Sequence, residues 1–159
     1  MPDDIRSMKW WGWGEEGTEF RIDNRPDLWP YIRASLNLPD DRPHSPRVDF
    51  DSICLPESKV NRAFLDEITD RLGTSRVRDD KGERLAHAFG KSFRDLWRMR
   101  RGAVDYAPDC VLYPETGDEV SALVASAVRH KVGVIPFGGG TNIAGCLEPI
   151  GGRDRMTVS

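Results

Sequence analysis

A short apolar run, Val132 to Ile135, stops at Pro136 and opens into three consecutive glycines, Gly138, Gly139 and Gly140, before Thr141, Asn142 and a further glycine at 145. No other stretch constrains the fold as much. Glycines in a row are costly in backbone entropy, so a run of them marks a place where the chain needs an unusual φ or a close approach to something. A strand that ends in bare amides suits an anion, because several N–H groups can converge on one set of oxygens with no side chain in between. The local chemistry predicts a pyrophosphate-cradling loop; a plain flexible loop is the competing reading of any glycine run. The run does not match the Rossmann fingerprint, and no clear helix with an acidic residue about 20 positions on follows it. Gly90-Lys91-Ser92 is not a Walker A loop either. That motif needs a glycine five positions before its Gly-Lys pair, and position 85 is Leu.

The residues before the loop supply its context. Val111-Leu112-Tyr113 reads as a short apolar strand closed by Pro114. Thr116 and Glu119 have capping-box spacing and predict a helix to about Lys131, with Val120, Leu123, Val124, Ala127 and Val128 on one face. His130 and Lys131 fall in its last turn, where positive charge suits the helix dipole. The unit is β-α-β, which predicts parallel strands with a right-handed crossover. The glycine loop then lies at the carboxyl end of a strand, where open α/β sheets place ligands. Met156 to Ser159 reads as the start of another strand after a Gly151-Gly152-Arg153-Asp154 turn. A chain that stops inside such a run reads as a piece of something longer.

Upstream, Ser58 to Leu72 predicts an amphipathic helix: Val60, Phe64, Ile68 and Leu72 recur every four residues, Leu65 widens the stripe, Ser58 caps the start and Gly73 follows the end. A short helix is expected around Trp29 to Leu36 within a surface loop spanning residues 24 to 49. A turn at Asp79 to Gly82 leads to helices at Glu83 to Phe89 and Ser92 to Arg101, with Ser92 and Asp95 at capping spacing. Trp10, Trp11 and Trp13 read as anchors that pin the N-terminal segment to the fold. Arg98, Arg100 and Arg101 read as a solvated basic helix end, with an anionic ligand or lipid headgroup as the minority reading. His44, His87 and His130 are isolated from one another and from any nucleophile, so neither a metal site nor a triad is expected.

Bulk properties exclude several classes. With 159 residues, 38% hydrophobic and 31% charged, the chain can build a globular core. A net charge of −3 gives no global case for nucleic acid. No apolar run approaches the ~20 residues of a membrane helix, and no hydrophobic signal core opens the sequence. Cys54, Cys110 and Cys146 are odd in number and widely spaced, which points to reduced thiols in a cytoplasmic compartment, with peripheral membrane contact compatible, and to no metal-ligand set.

Pro108-Asp109-Cys110-Val111-Leu112-Tyr113-Pro114, a capped helix, and then Ile135-Pro136-Phe137-Gly138-Gly139-Gly140-Thr141-Asn142 together resemble the opening of the FAD-binding domain of vanillyl-alcohol-oxidase-type (PCMH-type) flavoproteins. The segment Met8-Lys9-Trp10-Trp11-Gly12-Trp13-Gly14, the His87-Ala88-Phe89-Gly90-Lys91-Ser92 region and Arg101-Gly102 resemble the alkyldihydroxyacetonephosphate synthase branch. The resemblance implies an α+β fold: an N-terminal helical and loop region, residues 1–103, followed by the first βαβ unit of a PCMH-type FAD-binding domain, residues 104–159, incomplete. It implies that Pro136, Phe137, Gly138, Gly139, Gly140, Thr141 and Asn142 hold the FAD pyrophosphate. Thr141 stands where covalent flavoproteins of this superfamily carry a His, so non-covalent FAD is implied. The expected activity of the longer enzyme is exchange of the acyl group of acyl-dihydroxyacetone phosphate for a fatty alcohol in ether-lipid synthesis. The alternatives are an FAD-linked oxidase or dehydrogenase acting on a 2-hydroxy acid, and a non-catalytic fragment. The resemblance carries no catalytic residue and no metal ligand onto this stretch. It implies a small-molecule or lipid-like substrate and a homodimer of the longer protein.

Overall fold

All but the first of the described helices in this chain start where the sequence supplies a side-chain acceptor. The computed structural model describes residues 9–19, 21–39, 46–150 and 154–159; Met8, His44 and residues 151–153 of the expected turn lie outside them. Five helices form among these residues: α1 (Leu28–Leu36), α2 (Arg62–Leu72), α3 (Lys81–Ala86), α4 (Phe93–Arg100) and α5 (Gly117–His130). At α5 the expected capping box is present. Thr116 Oγ1 accepts the Glu119 amide at 3.2 Å, and the Glu119 carboxylate accepts the Thr116 amide at 3.3 Å. Arg76 adds a two-pronged pair to that carboxylate, at 2.9 Å on each oxygen. The Arg76 hydrogen bonds bring the Glu119 pKa down to about 2. Thr116→Ala is expected to lower stability by about 1 kcal/mol, read as a shift of the urea midpoint at unchanged slope.

Two helices have boundaries that differ from the sequence expectation. Helix α2 starts at Arg62, capped by Asn61 Oδ1, which accepts the Phe64 amide at 3.2 Å. The Ser58 hydroxyl, expected in that role, instead donates to the Asp109 carbonyl at 3.0 Å, and Val60 is 49% exposed. Helix α3 begins two residues earlier than expected and ends short of Phe89, because Asp80 Oδ1 accepts the Glu83 amide at 3.2 Å and so acts as the cap.

Four short strands follow the same order: β1 (Val77–Arg78), β2 (Val111–Leu112), β3 (Gly133–Val134) and β4 (Thr157–Val158). β1 pairs antiparallel with β2, and β3 pairs parallel with β4. A parallel bridge between Cys110 and Val158 joins the two pairs, giving the spatial order β1-β2-β4-β3. Both strands of the β2-α5-β3 unit therefore run parallel to β4, which is inserted between them. Asp109 secures this insertion. Its buried carboxylate accepts the Lys59 amide at 2.8 Å and the Thr157 amide at 2.6 Å.

Two apolar clusters fill the interior. The first gathers Phe64, Ile68 and Leu72 of α2, Leu123 and Ala127 of α5, and Cys110, Leu112, Val132, Met156 and Val158 from the strands and their ends. It draws on residues from both sides of position 104. The second gathers Ile53, Leu85, Ala88, Phe89, Met99, Val104 and Ala107, with Trp10 and Phe50 packed against it. Trp10 thus anchors the N-terminal segment as expected, whereas Trp13 is 42% exposed. The expected single apolar face of α5 is split. Leu123 and Ala127 are buried against α2 and the strands, while Val120, Val124 and Val128 stay exposed, the last at 74%. A helix packed on one side buries a stripe narrower than its full run of apolar residues.

Candidate functional site

Strand β3 leads directly into the glycine loop. The Ile135 amide donates to the Val158 carbonyl at 2.9 Å, and Pro136, which has no N–H, ends the ladder. Pro136, Gly138, Gly139 and Thr141 are exposed, Phe137 and Asn142 are half-buried, and Gly140 is buried. The three glycines have different reasons to be glycine. Gly140 has φ of +65°, and a Cβ there would meet Phe137 Cζ at 2.6 Å, so the loop's own shape demands glycine at this point. Gly138 and Gly139 have no positive φ. An added Cβ would meet nothing within 4 Å at Gly138 and only Thr141 Cγ2, at 3.9 Å, at Gly139. Nothing among the described residues requires their bareness, and they leave backbone without side chains just past the carboxyl end of β3.

Asn142 has a different task. Its Oδ1 accepts the amides of Ala144 and Cys146 at 3.1 Å each, and its carbonyl accepts the Lys91 amide at 2.7 Å. Its side chain shapes the loop.

The structure brings to this loop residues that the sequence left apart. The His87 ring lies 4.1 Å from the Phe137 ring, centroid to centroid. Its Nδ1 is 2.9 Å from the Glu83 carbonyl; a carbonyl only accepts, so Nδ1 carries the proton. Burial pushes the His87 pKa down and keeps the ring neutral. The Tyr113 hydroxyl donates to the Glu83 carboxylate at 2.7 Å, and burial followed by that bond makes the phenol a weaker acid. A Cβ on Gly90 would overlap the Asn142 carbonyl oxygen. The Lys91 ammonium is buried, donates to the Lys9 carbonyl at 2.9 Å, and has its pKa lowered by burial. The contacts of His87 with Phe137, Gly90 with Asn142 and Lys91 with Lys9 join positions far apart in the sequence and leave no periodic trace in it. The His87–Ser92 stretch stands out in the sequence without identifying a partner.

The expected basic cluster is dispersed. Arg98 makes a two-pronged pair with Glu148, at 2.9 and 2.7 Å, while Arg100 lies over Trp11 and Arg101 over Trp97. Cys110 is buried, and burial pushes its thiol up to about 12, so it is no nucleophile. Among the described residues no group of three or more His, Cys, Asp and Glu side chains could hold a metal ion, and no helix is long and apolar enough to cross a membrane.

Comparisons with known proteins give matches to an FAD binding domain and to alkyldihydroxyacetonephosphate synthases. An FAD binding domain model matches residues 108–158, which span β2, α5, β3, the glycine loop and β4. The alkyldihydroxyacetonephosphate synthase of Trypanosoma brucei brucei is 35% identical over 94% of this chain and 27% of its own length. That of Dictyostelium discoideum is also 35% identical, over 99% of this chain and 29% of its own length. A solved structure of an alkyldihydroxyacetonephosphate synthase superposes with a TM-score of 0.80 at 32% identity, covering 98% of this chain and 32% of that one. The chain thus spans about a third of the length of the relatives it matches, and its mixed helix-and-strand architecture is that of their FAD-binding fold. By sequence and by structure together, residues 108–158 match an FAD binding domain, and the chain is similar over nearly its whole length to alkyldihydroxyacetonephosphate synthases.

Proposed function

We propose that this chain supplies the first FAD-phosphate loop, Pro136 to Asn142, of an enzyme of the alkyldihydroxyacetonephosphate synthase type, acting on a lipid-like substrate. The observation that carries this reading is the open strip of backbone at Gly138 and Gly139, two glycines that the fold itself does not require. It fits a pyrophosphate: amides at a strand's carboxyl end can donate to several oxygens at once, and charge-assisted bonds of this kind are about twice as strong as neutral ones. The FAD-binding domain begins at about residue 104 in this reading, and α2 of the preceding region packs against it. Thr141 offers no imidazole for covalent attachment, so the flavin is held non-covalently. Bound FAD supplies the reactive ring through which an acyl group is exchanged for a fatty alcohol without net redox. This chain's residues bind and orient: the loop amides hold the phosphate, and Phe137, seated on His87, sets the loop's inner wall. No residue of this stretch is assigned to proton transfer, and a homodimer of the longer enzyme is part of the same reading.

The test uses protein purified from its native source. The expected result is a visible flavin spectrum, release of the flavin on acid denaturation, and incorporation of labelled fatty alcohol into acyl-dihydroxyacetone phosphate with release of fatty acid. Bleaching of the flavin by a 2-hydroxy acid, with no alcohol exchange, would instead identify an oxidase or dehydrogenase of the same superfamily. Absence of flavin would leave a non-catalytic protein.

A further inference from the structure

Three contacts tie the glycine loop and the segment that follows it, from Phe137 to Glu148, to one stretch of the N-terminal region, and they fall at the start, middle and end of that span. At the start, the His87 ring, which follows the last turn of α3, packs on Phe137 at 4.1 Å. In the middle, the bare Cα of Gly90 lets the Asn142 carbonyl come close enough to accept the Lys91 amide at 2.7 Å. At the end, Arg98 of α4 grips Glu148 with both prongs, at 2.9 and 2.7 Å. The side chains of this last pair are only 12% and 9% exposed. Arg98 is itself held from behind, over the Phe89 ring at 4.7 Å. Between these points the loop's own hydrogen bonds are few, chiefly Asn142 Oδ1 with the amides of Ala144 and Cys146.

We propose that the segment from His87 to Arg98 is a clamp that holds the glycine loop in its ligand-ready shape, so that cofactor retention depends on Gly90, Lys91 and Arg98 although none of them is placed against the cofactor. The functional half of this proposal rests on the FAD reading above. The physical reason is preorganisation. Amides that must converge on one anion lose affinity if the loop has to be ordered at the moment of binding, and a glycine-rich loop has much backbone freedom to lose. Gly90, Lys91 and Arg98 are thus positioning residues.

Two variants test the clamp by different routes. Gly90→Ala forces the Asn142 carbonyl away and removes the middle contact. Arg98→Met removes the end contact while keeping the stem over Phe89, and Arg98→Lys restores one charged bond of the two. In the unliganded chain, amide hydrogen exchange at Ala144 and Cys146 is expected to rise about tenfold in Gly90→Ala and in Arg98→Met, with Arg98→Lys in between and the α5 amides unchanged. A general loss of stability would raise exchange in α5 as well. Unchanged exchange at Ala144 and Cys146 in Arg98→Met, with the chain folded, would overturn the clamp whatever happens in Gly90→Ala. The second measurement is FAD titration of the flavin-stripped native protein and its variants. A roughly tenfold weaker Kd alongside faster loop exchange supports the full proposal. Faster exchange with an unchanged Kd overturns its functional half. Faster exchange in a protein whose unsubstituted form takes up no FAD supports the clamp and sinks the FAD reading instead.

Discussion

Gly139→Val is expected to weaken FAD binding by about 100-fold while leaving the unliganded protein as stable as before. The two halves of this result come from separate observations. A Cβ at Gly139 meets only Thr141 Cγ2, at 3.9 Å, and the backbone there needs no positive φ, so the fold accepts the side chain. A substitution in an exposed loop with compatible backbone shifts stability by about 0.5 kcal/mol or less, and the lower entropy of the unfolded chain offsets part of any cost. The space the isopropyl group would fill is the space a phosphate needs. Displacing the phosphate breaks at least two charge-assisted bonds of about 1.5 kcal/mol or more each, and 1.4 kcal/mol is about a factor of ten. Thermal unfolding without flavin and FAD titration, run side by side, read the two halves. Gly140→Ala is the contrasting case. Its φ of +65° and the Phe137 ring at 2.6 Å make alanine a strain on the loop itself, so both readouts are expected to fall. Full flavin occupancy in Gly139→Val would show that residues 138–140 do not face the phosphate.

Phe64→Ala is expected to cost about 3–5 kcal/mol of stability, the range for large-to-small changes at fully buried aromatic sites. Phe64 has no exposed surface and sits where α2 meets α5 and the strands, among Ile68, Leu72, Leu123, Ala127, Met156 and Val158. Its ring also stands edge-on to His130, with centroids 6.2 Å apart. Removing it takes away the transfer free energy of the ring and leaves a void that backbone from three elements cannot collapse to fill. Most domains are only about 5–15 kcal/mol stable, so this one change is expected to bring the protein close to unfolding at 37 °C. Urea denaturation followed by circular dichroism measures it. Val128→Ala, at 74% exposure, is the matched control, with an expected change within about 0.5 kcal/mol. Equal midpoints for the two variants would mean that α2 does not pack on α5 as described.

Local elements are legible in the amino-acid sequence alone. Thr116 with Glu119 specifies the start of α5, and Ser92 with Asp95 that of α4, because caps are chosen by neighbours three residues apart. The four-residue recurrence of Phe64, Ile68 and Leu72 specifies the buried stripe of α2. The strand that breaks at Pro136 into Gly138-Gly139-Gly140 places a bare-backbone loop at a strand's carboxyl end, and the motifs around it carry the resemblance to FAD-binding proteins. Only the tertiary structure decided the rest, because it depends on distant partners. Ser58 is lost as a cap because Asp109, 51 residues away, offers its carbonyl. The valine stripe of α5 is left exposed because α2 and the strands reach only the Leu123–Ala127 side. Arg98, Arg100 and Arg101 separate because Glu148, Trp11 and Trp97 each take one of them. Among the glycines, sequence shows a run of three equivalent residues. The fold divides them into Gly140, required by its own backbone, and Gly138 and Gly139, where the described fold leaves room for a side chain.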